Sequence, residues 1–305
     1  MLGVKEGRSE ALGSLGMLVA AAAILGINYV VMKWALLGAG ALTVTLFRAV
    51  FGVGTMLLIC AATRTSLRVP LRRADLGAVA LPAGLMACSQ IAFAYGVHNT
   101  AAGLASLISN TMPVCSALLA WVVVREQPSR AALVGITVAI GGVGVAASVA
   151  GGGSGSHPFG VAMMLVAVVT WAGSNVSLKK WRPAGGEIAF ATWMLIIGTC
   201  IFLPAAGLAE SFAVHWSWKF VGEAVVAGGV GQIGFTLILL VLRRGSVLRA
   251  SSVSFMVPVF GVAAGALLLD EAIHVQEIVG GLLIFAGVGL VVFRGAARRA
   301  ARATT

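Results

Sequence analysis

Ten stretches of apolar sequence, none with more than a stray charge, succeed one another along this 305-residue chain. That feature narrows the possible folds to one class. They cover Ser14–Leu36, Leu42–Ala62, Leu76–Val97, Ala101–Val124, Ala131–Ala150, Phe159–Leu178, Ile188–Gly207, Phe220–Leu242, Ser246–Leu269 and Val275–Phe293. Each is close to the roughly 20 residues that an α-helix needs to cross the hydrocarbon of a bilayer. In hydrocarbon a backbone must satisfy its own hydrogen bonds, so such stretches are helical. With 10% charged residues and a mean hydropathy of +1.02, too little polar sequence remains for a water-soluble domain. A soluble enzyme, a secreted disulfide scaffold, a disordered tail and a nucleic-acid binder are thereby excluded. The expectation is an all-α integral membrane protein of ten transmembrane helices. Lys5 and Arg8 precede the first stretch as in a signal peptide, but its apolar run exceeds the roughly 7–15 residues of such a segment, so it reads as a retained helix.

The net charge of +11 acquires meaning from its distribution. If the N-terminus is cytoplasmic, 18 of the 21 Lys and Arg residues fall in cytoplasmic segments and only Lys219 in an outer loop, while Lys33 and Arg48 fall near the outer ends of the first two helices. The positive-inside rule then places both termini in the cytoplasm. The four cysteines lie within the helices without CxxC spacing and read as small apolar packers in a reduced state. His98, His157, His215 and His274 lie at outer loops or helix ends, with no two spaced as ligands on one helix, and no metal or cofactor is expected.

The second half repeats the first. Ser109-Asn-Thr-Met-Pro113-Val, then Arg125-Glu126, Gly135 and Gly142-Val-Gly144, returns 145 residues later as Ser254-Phe-Met-Val-Pro258-Val, Asp270-Glu271, Gly280 and Gly287-Val-Gly289. Gly26…Val30…Lys33 matches Ala172…Val176…Lys179, and Gln90-Ile-Ala-Phe matches Gln232-Ile-Gly-Phe. Two copies are thus expected over residues 14–150 and 159–293, joined by the Gly151–Gly155 connector. Five helices per copy is an odd number, so the copies face opposite ways. Inverted repeats around a central cavity are the construction of secondary transporters, whose substrate sits near the midplane between the repeats.

Polar groups at midplane are costly unless they meet a partner or a wet cavity. The inventory is short: Asn28 and Tyr29 in the first helix, Gln90 in the third, Asn110 in the fourth, Trp171, Ser174 and Asn175 in the sixth, Gln232 in the eighth, Ser252 and Ser254 in the ninth. Gln90 and Gln232 occupy corresponding places and can hydrogen-bond one polar ligand from both copies; the competing role for any one of these residues is interhelical packing. Tyr95, five residues beyond Gln90, lies further out, and with Tyr29 and Trp171 it supplies an aromatic wall. Pro113 and Pro258 read as paired mid-helix kinks, either flexing points or static shape. No Asp or Glu lies at the centre of a span, which favours a neutral or zwitterionic substrate and leaves proton coupling open.

The run from His98 through Pro113-Val to Arg125-Glu126-Gln-Pro and Gly135, with the helix-1 pattern Gly26…Lys33, resembles the EamA repeat of the drug/metabolite transporter superfamily. The resemblance covers both halves, with Asp270-Glu271 standing where the pattern has Arg-Glu. It implies a ten-helix basket around a central cavity, alternating access, and export of amino acids, related metabolites or drugs across a bacterial inner membrane. The aromatic amino acid exporters of the YddG type share this pattern. The implied partners are a small-molecule substrate and the lipid bilayer, with no nucleic acid; a monomer is expected and a dimer stays open. Multidrug efflux is the nearest alternative and a non-transporting structural subunit the more distant one. An intramembrane enzyme lacks support, because no HExxH or GxSxG is present and no histidine lies away from the outer face.

Overall fold

A computed structural model of the chain describes residues 2–67, 76–151, 155–181, 187–243 and 247–303. Within them the chain is helical, with one isolated bridge, Ala39 to Val214, and no strand. The elements are α1 (Leu2–Gly38), α2 (Ala41–Ala62), α3 (Leu76–His98), α4 (Ala102–Ser109), α5 (Met112–Val124), α6 (Arg130–Ala147), α7 (Pro158–Trp181), α8 (Glu187–Glu210), α9 (Trp218–Val225), α10 (Gly231–Arg243), α11 (Val247–Leu268) and α12 (Val275–Ala303). A π-helical turn, Val226–Val230, joins α9 to α10. Among the described residues nine spans are long and apolar enough to cross a membrane, α4 with α5 forming one and α9 with α10 another. α11 is not among them: its described apolar part is the shorter Phe255–Leu268.

Burial is arranged for lipid. Large apolar side chains point outward along the helices, Leu58 at 73% and Val122 at 69% exposed, whereas Ala and Val dominate the interior. Lipid tails are as apolar as leucine, so helices gain little by hiding leucine from them and associate through close backbone approach instead. The α6–α12 seam illustrates this. A Cβ at Gly142 would lie 2.8 Å from the Gly280 carbonyl, and one at Gly135 would lie 2.6 Å from the Gly287 carbonyl. Residue numbers rise along one helix as they fall along the other, so the pair runs antiparallel.

The other main pairings are α1 with α11 and α10, α2 with α8, α3 with α7, α4 with α11, and α5 with α7. Exchanging each span for its counterpart in the other half, first for sixth and so on, turns this set into itself. Helix ends follow the same economy. Ser129 and Ser217 accept from the N–H groups of Ala132 and Phe220 at the starts of α6 and α9, satisfying donors the helix leaves open. The spans ending at Arg125 and Asp270 close alike: both residues are left-handed (φ 58° and 52°), and the next N–H, of Glu126 or Glu271, donates six residues back to Ala120 or Gly265 at 3.2 Å. The Arg-Glu and Asp-Glu pairs of the repeat are therefore one helix-terminating turn, which throws a glutamate back across the helix end.

Cys60 is buried, but Cys88 and Cys200 are exposed on the outside of the bundle, so only part of the cysteine set packs internally. The middle of the Gly151–Gly155 connector and the side chains of Ser252 and Ser254 lie outside the described residues.

Candidate substrate site

The fourth span is broken where its sequence turns polar. α4 stops at Ser109 and α5 resumes at Met112. Between them Thr111 folds back on Ile108, its N–H and its hydroxyl donating to the same carbonyl at 3.0 and 2.6 Å. Pro113 is thus not a mid-helix kink. It stands in the first turn of α5, where a missing N–H costs nothing. Pro258, by contrast, lies inside a continuous α11 as expected.

The break isolates Asn110. It is 6% exposed, and neither its amide nitrogen nor its oxygen has a hydrogen-bond partner. Leaving such a group unpaired costs on the order of 1–3 kcal/mol. Its neighbour Ser109 lies beside the Tyr29 side chain of α1. Tyr29 meets Phe93 of α3 edge-on, ring centroids 5.5 Å apart, and the other partner of Phe93 is Arg48 of α2, its guanidinium carbon 5.3 Å from the ring centre. One residue before Tyr29, the Asn28 side chain lies against Gly231, where a Cβ would come 3.0 Å from Nδ2, and its Oδ1 is buried without a partner.

These groups share a depth. At a rise of about 1.5 Å per residue, Tyr29, Arg48 and Asn110 sit about 10–14 Å from the helix ends at Gly38, Ala41 and Ala102. In a hydrocarbon layer about 30 Å thick that places them slightly to one side of the centre. The π-turn adjoins the same place: Gly228 within it lies against the backbone of Arg48, and Gln232 is one residue beyond Gly231. π-Turns inside helices concentrate at functional positions because the extra residue rotates the side chains beyond it onto a new face.

The other expected residues divide. Gln90 and Gln232 are half-buried on α3 and α10. Trp171 is half-buried on α7, and Asn175 on the same helix approaches the Met112 sulfur at 3.9 Å. Ser174 is fully buried and donates to the Pro82 carbonyl at 2.8 Å, so its hydroxyl is committed to joining α7 to α3. Tyr95 lines a cleft of about 470 Å³ with His98, Glu210 and His215, at the end of the bundle expected to face outward. A second cleft, of about 820 Å³ beside Cys60, Arg64 and Trp193, opens at the opposite end.

At the same end as the Tyr95 cleft two glutamates tie spans together. Glu271 pairs with Lys33 Nζ at 2.8 Å and accepts the Ala102 and Gly103 N–H groups at 2.8 and 3.3 Å. Glu210 accepts the Leu42 and Thr43 N–H groups at 3.0 and 2.8 Å and the Thr43 hydroxyl at 2.8 Å. Both α4 and α2 begin without a capping side chain of their own; each borrows a carboxylate, suited to the positive end of a helix dipole, from the opposite half of the chain.

The pattern of the EamA-like transporter family matches residues 12–148 and again residues 158–293. The chain belongs to that family. Among EamA-like relatives, a "probable amino-acid metabolite efflux pump" of Salmonella typhimurium is 29% identical over 66% of this chain and 71% of its own length. A "probable terminal-alkyne amino-acid exporter" of Streptantibioticus cattleyicolor is 29% identical over 81% and 83%. An "uncharacterized transporter YvbV" of Bacillus subtilis is 27% identical over 68% of both chains. A solved crystal structure superposes on 94% of the chain and 98% of its own with a TM-score of 0.61 at 16% identity, a likeness of fold. As an EamA-like transporter the chain is a multi-pass membrane protein and not an enzyme.

Arg48, Phe93, Ser109 and Glu271 belong to this EamA-like arrangement but are not among the site residues expected from the sequence. Counting seven residues into α2 would have placed Arg48 well below the membrane surface; nothing local in the sequence announces that Phe93 faces it.

Proposed function

We propose that the chain is a secondary transporter exporting small zwitterionic metabolites, amino acids foremost and aromatic ones among them, across a bacterial inner membrane. Alternating access arises from two inverted five-helix copies with both termini cytoplasmic. The observation that carries this reading is the buried polar group set around the α4–α5 break, above all Asn110 with both amide atoms unpaired. A buried unsatisfied amide has a purely structural cost and is retained where something else comes to pair with it. Asn28, Asn110, Gln90 and Gln232 supply donors and acceptors, and Tyr29, Phe93 and Trp171 supply apolar faces.

Several observations support inversion and transport. The α6–α12 seam is antiparallel, the main helix pairings survive exchange of the halves, and 18 of 21 basic residues lie in the termini and alternate loops assigned to one side. Relatives bearing exporter names point to amino-acid metabolites. The test is reconstitution in proteoliposomes loaded with a panel of radiolabelled amino acids. Saturable release of at least one, reduced tenfold or more by Asn110→Leu, is the expected result. Release that is unsaturable and indifferent to Asn110→Leu, Gln90→Ala and Gln232→Ala overturns it. Running the panel with and without a pH gradient also decides between proton coupling and facilitated diffusion.

A further inference from the structure

We propose that Arg48 is the anchor for the substrate's carboxylate, which makes the site selective for α-amino acids over the corresponding amines and amides. This rests on the transport reading and specifies which end of the substrate points where.

A guanidinium inside a transmembrane span is costly and is kept only where an anion or a wet cavity compensates it. Among the described residues Arg48 meets the Phe93 ring, its centre 5.3 Å from the guanidinium carbon, the Met32 sulfur at 4.0 Å from Nη1, and the side chain of Tyr29, none of them an anion at neutral pH. Among the described residues no carboxylate pairs with it. The contrast with Lys33 is direct, since that cation, nearer the end of its helix, is paired with Glu271 at 2.8 Å. Arg48 therefore has its charge held in place by a ring and a thioether, and its planar fork suits two carboxylate oxygens.

The surroundings complete a zwitterion. From Arg48 the contacts run through Phe93 and Tyr29 to Ser109, and Asn110 is next in the chain. The buried, unpaired Asn110 and Asn28 amide oxygens accept hydrogen bonds, so either can receive an ammonium. A cationic anchor and neutral acceptors at one depth form a pattern that an α-amino acid satisfies at both ends; an amine leaves the guanidinium bare, and a dicarboxylate finds no second cation. Gly228 fits the same picture: any Cβ there would strike the Arg48 backbone, so the π-turn of the second copy packs directly behind the anchor.

The test uses the full-length protein in proteoliposomes, with competition by L-phenylalanine, L-phenylalaninamide and phenethylamine against whichever panel amino acid is transported. In the wild type the carboxylate is expected to compete at least tenfold better than the amide or the amine. Arg48→Lys should keep part of that preference, and Arg48→Met should lower transport of the amino acid tenfold or more, with acid, amide and amine competing equally for what remains. If Arg48→Met does not fold, the wild-type and Arg48→Lys comparison still decides. Equal competition by acid and amide in the wild type, or an undiminished preference in Arg48→Met, overturns the anchor while leaving transport standing. A wild type that transports no member of the panel overturns the transport reading and the anchor with it.

Discussion

The fourth and ninth spans descend from one repeated sequence, yet they solve the same problem differently. Pro113 and Pro258 hold equivalent places in the repeat, and neither has an N–H to donate to the backbone. In the fourth span the residues before the proline are Ser109, Asn110, Thr111 and Met112, and the helix breaks. In the ninth they are Ser254, Phe255, Met256 and Val257, and the helix runs through. Thr111 can bond the Ile108 carbonyl and so stabilise a turn that is not helical. Phe, Met and Val offer the backbone no such alternative, and Phe255 is held edge-on against Phe285 of α12 at 5.9 Å. The helix-terminating turns at Arg125 and Asp270 kept one geometry in both copies. Duplication thus preserved the frame and let the middle diverge, with the polar break left to one copy.

The largest effect is expected from copying the break's polar residue into its counterpart. Phe255→Asn removes the Phe285 contact and buries an unpaired amide, so unfolding in detergent should come about 3–4 kcal/mol sooner, with no gain in transport. A stable variant with improved transport would mean that the ninth span also carries a working site. Next, Glu271→Ala leaves Lys33 unpaired and two N–H groups at the start of α4 uncapped. A loss of about 2–3 kcal/mol is expected, and Glu271→Gln should recover part of it, because an amide oxygen can still cap. Equal losses for both variants would show that the ion pair contributes all of the effect. The third test inverts the first: Asn110→Leu should reduce transport about 10- to 100-fold, corresponding to one or two lost hydrogen bonds, without lowering the unfolding midpoint. A lowered midpoint would make Asn110 a structural amide. The smallest effect belongs to Thr111→Val, which removes the hydroxyl bond to Ile108; about 1 kcal/mol or less is expected, seen as faster amide exchange confined to residues 108–112.

The spans, the repeat and the kinship were legible because they depend on sequence periodicity and on charge position, both local properties. The site was legible only in part. Asn28, Tyr29 and Asn110 stand out as polar residues in apolar runs, and the structure brings them to one depth. Ser174 has the same appearance in the sequence, yet it spends its hydroxyl on Pro82, 92 positions away. Lys33 and Glu271 are 238 positions apart, and no pattern along the chain predicts such a pairing. Pro113 departs from its expected role because a proline's effect depends on whether neighbouring side chains can take over the backbone's bonds, which only the local geometry reveals.

The glycine seam between α6 and α12 has a consequence for symmetry. Gly135 faces Gly287 and Gly142 faces Gly280, while the repeat makes Gly135 the equivalent of Gly280 and Gly142 that of Gly287. Gly135 therefore meets the counterpart of Gly142, and Gly142 the counterpart of Gly135, which is the reciprocal rule of an isologous two-fold interface. A single copy carrying this surface needs no second gene to complete it: two identical chains, inserted in opposite senses, bury the same seam. In the present molecule α6 and α12 supply that self-complementary surface once each, from the two matched halves of one polypeptide.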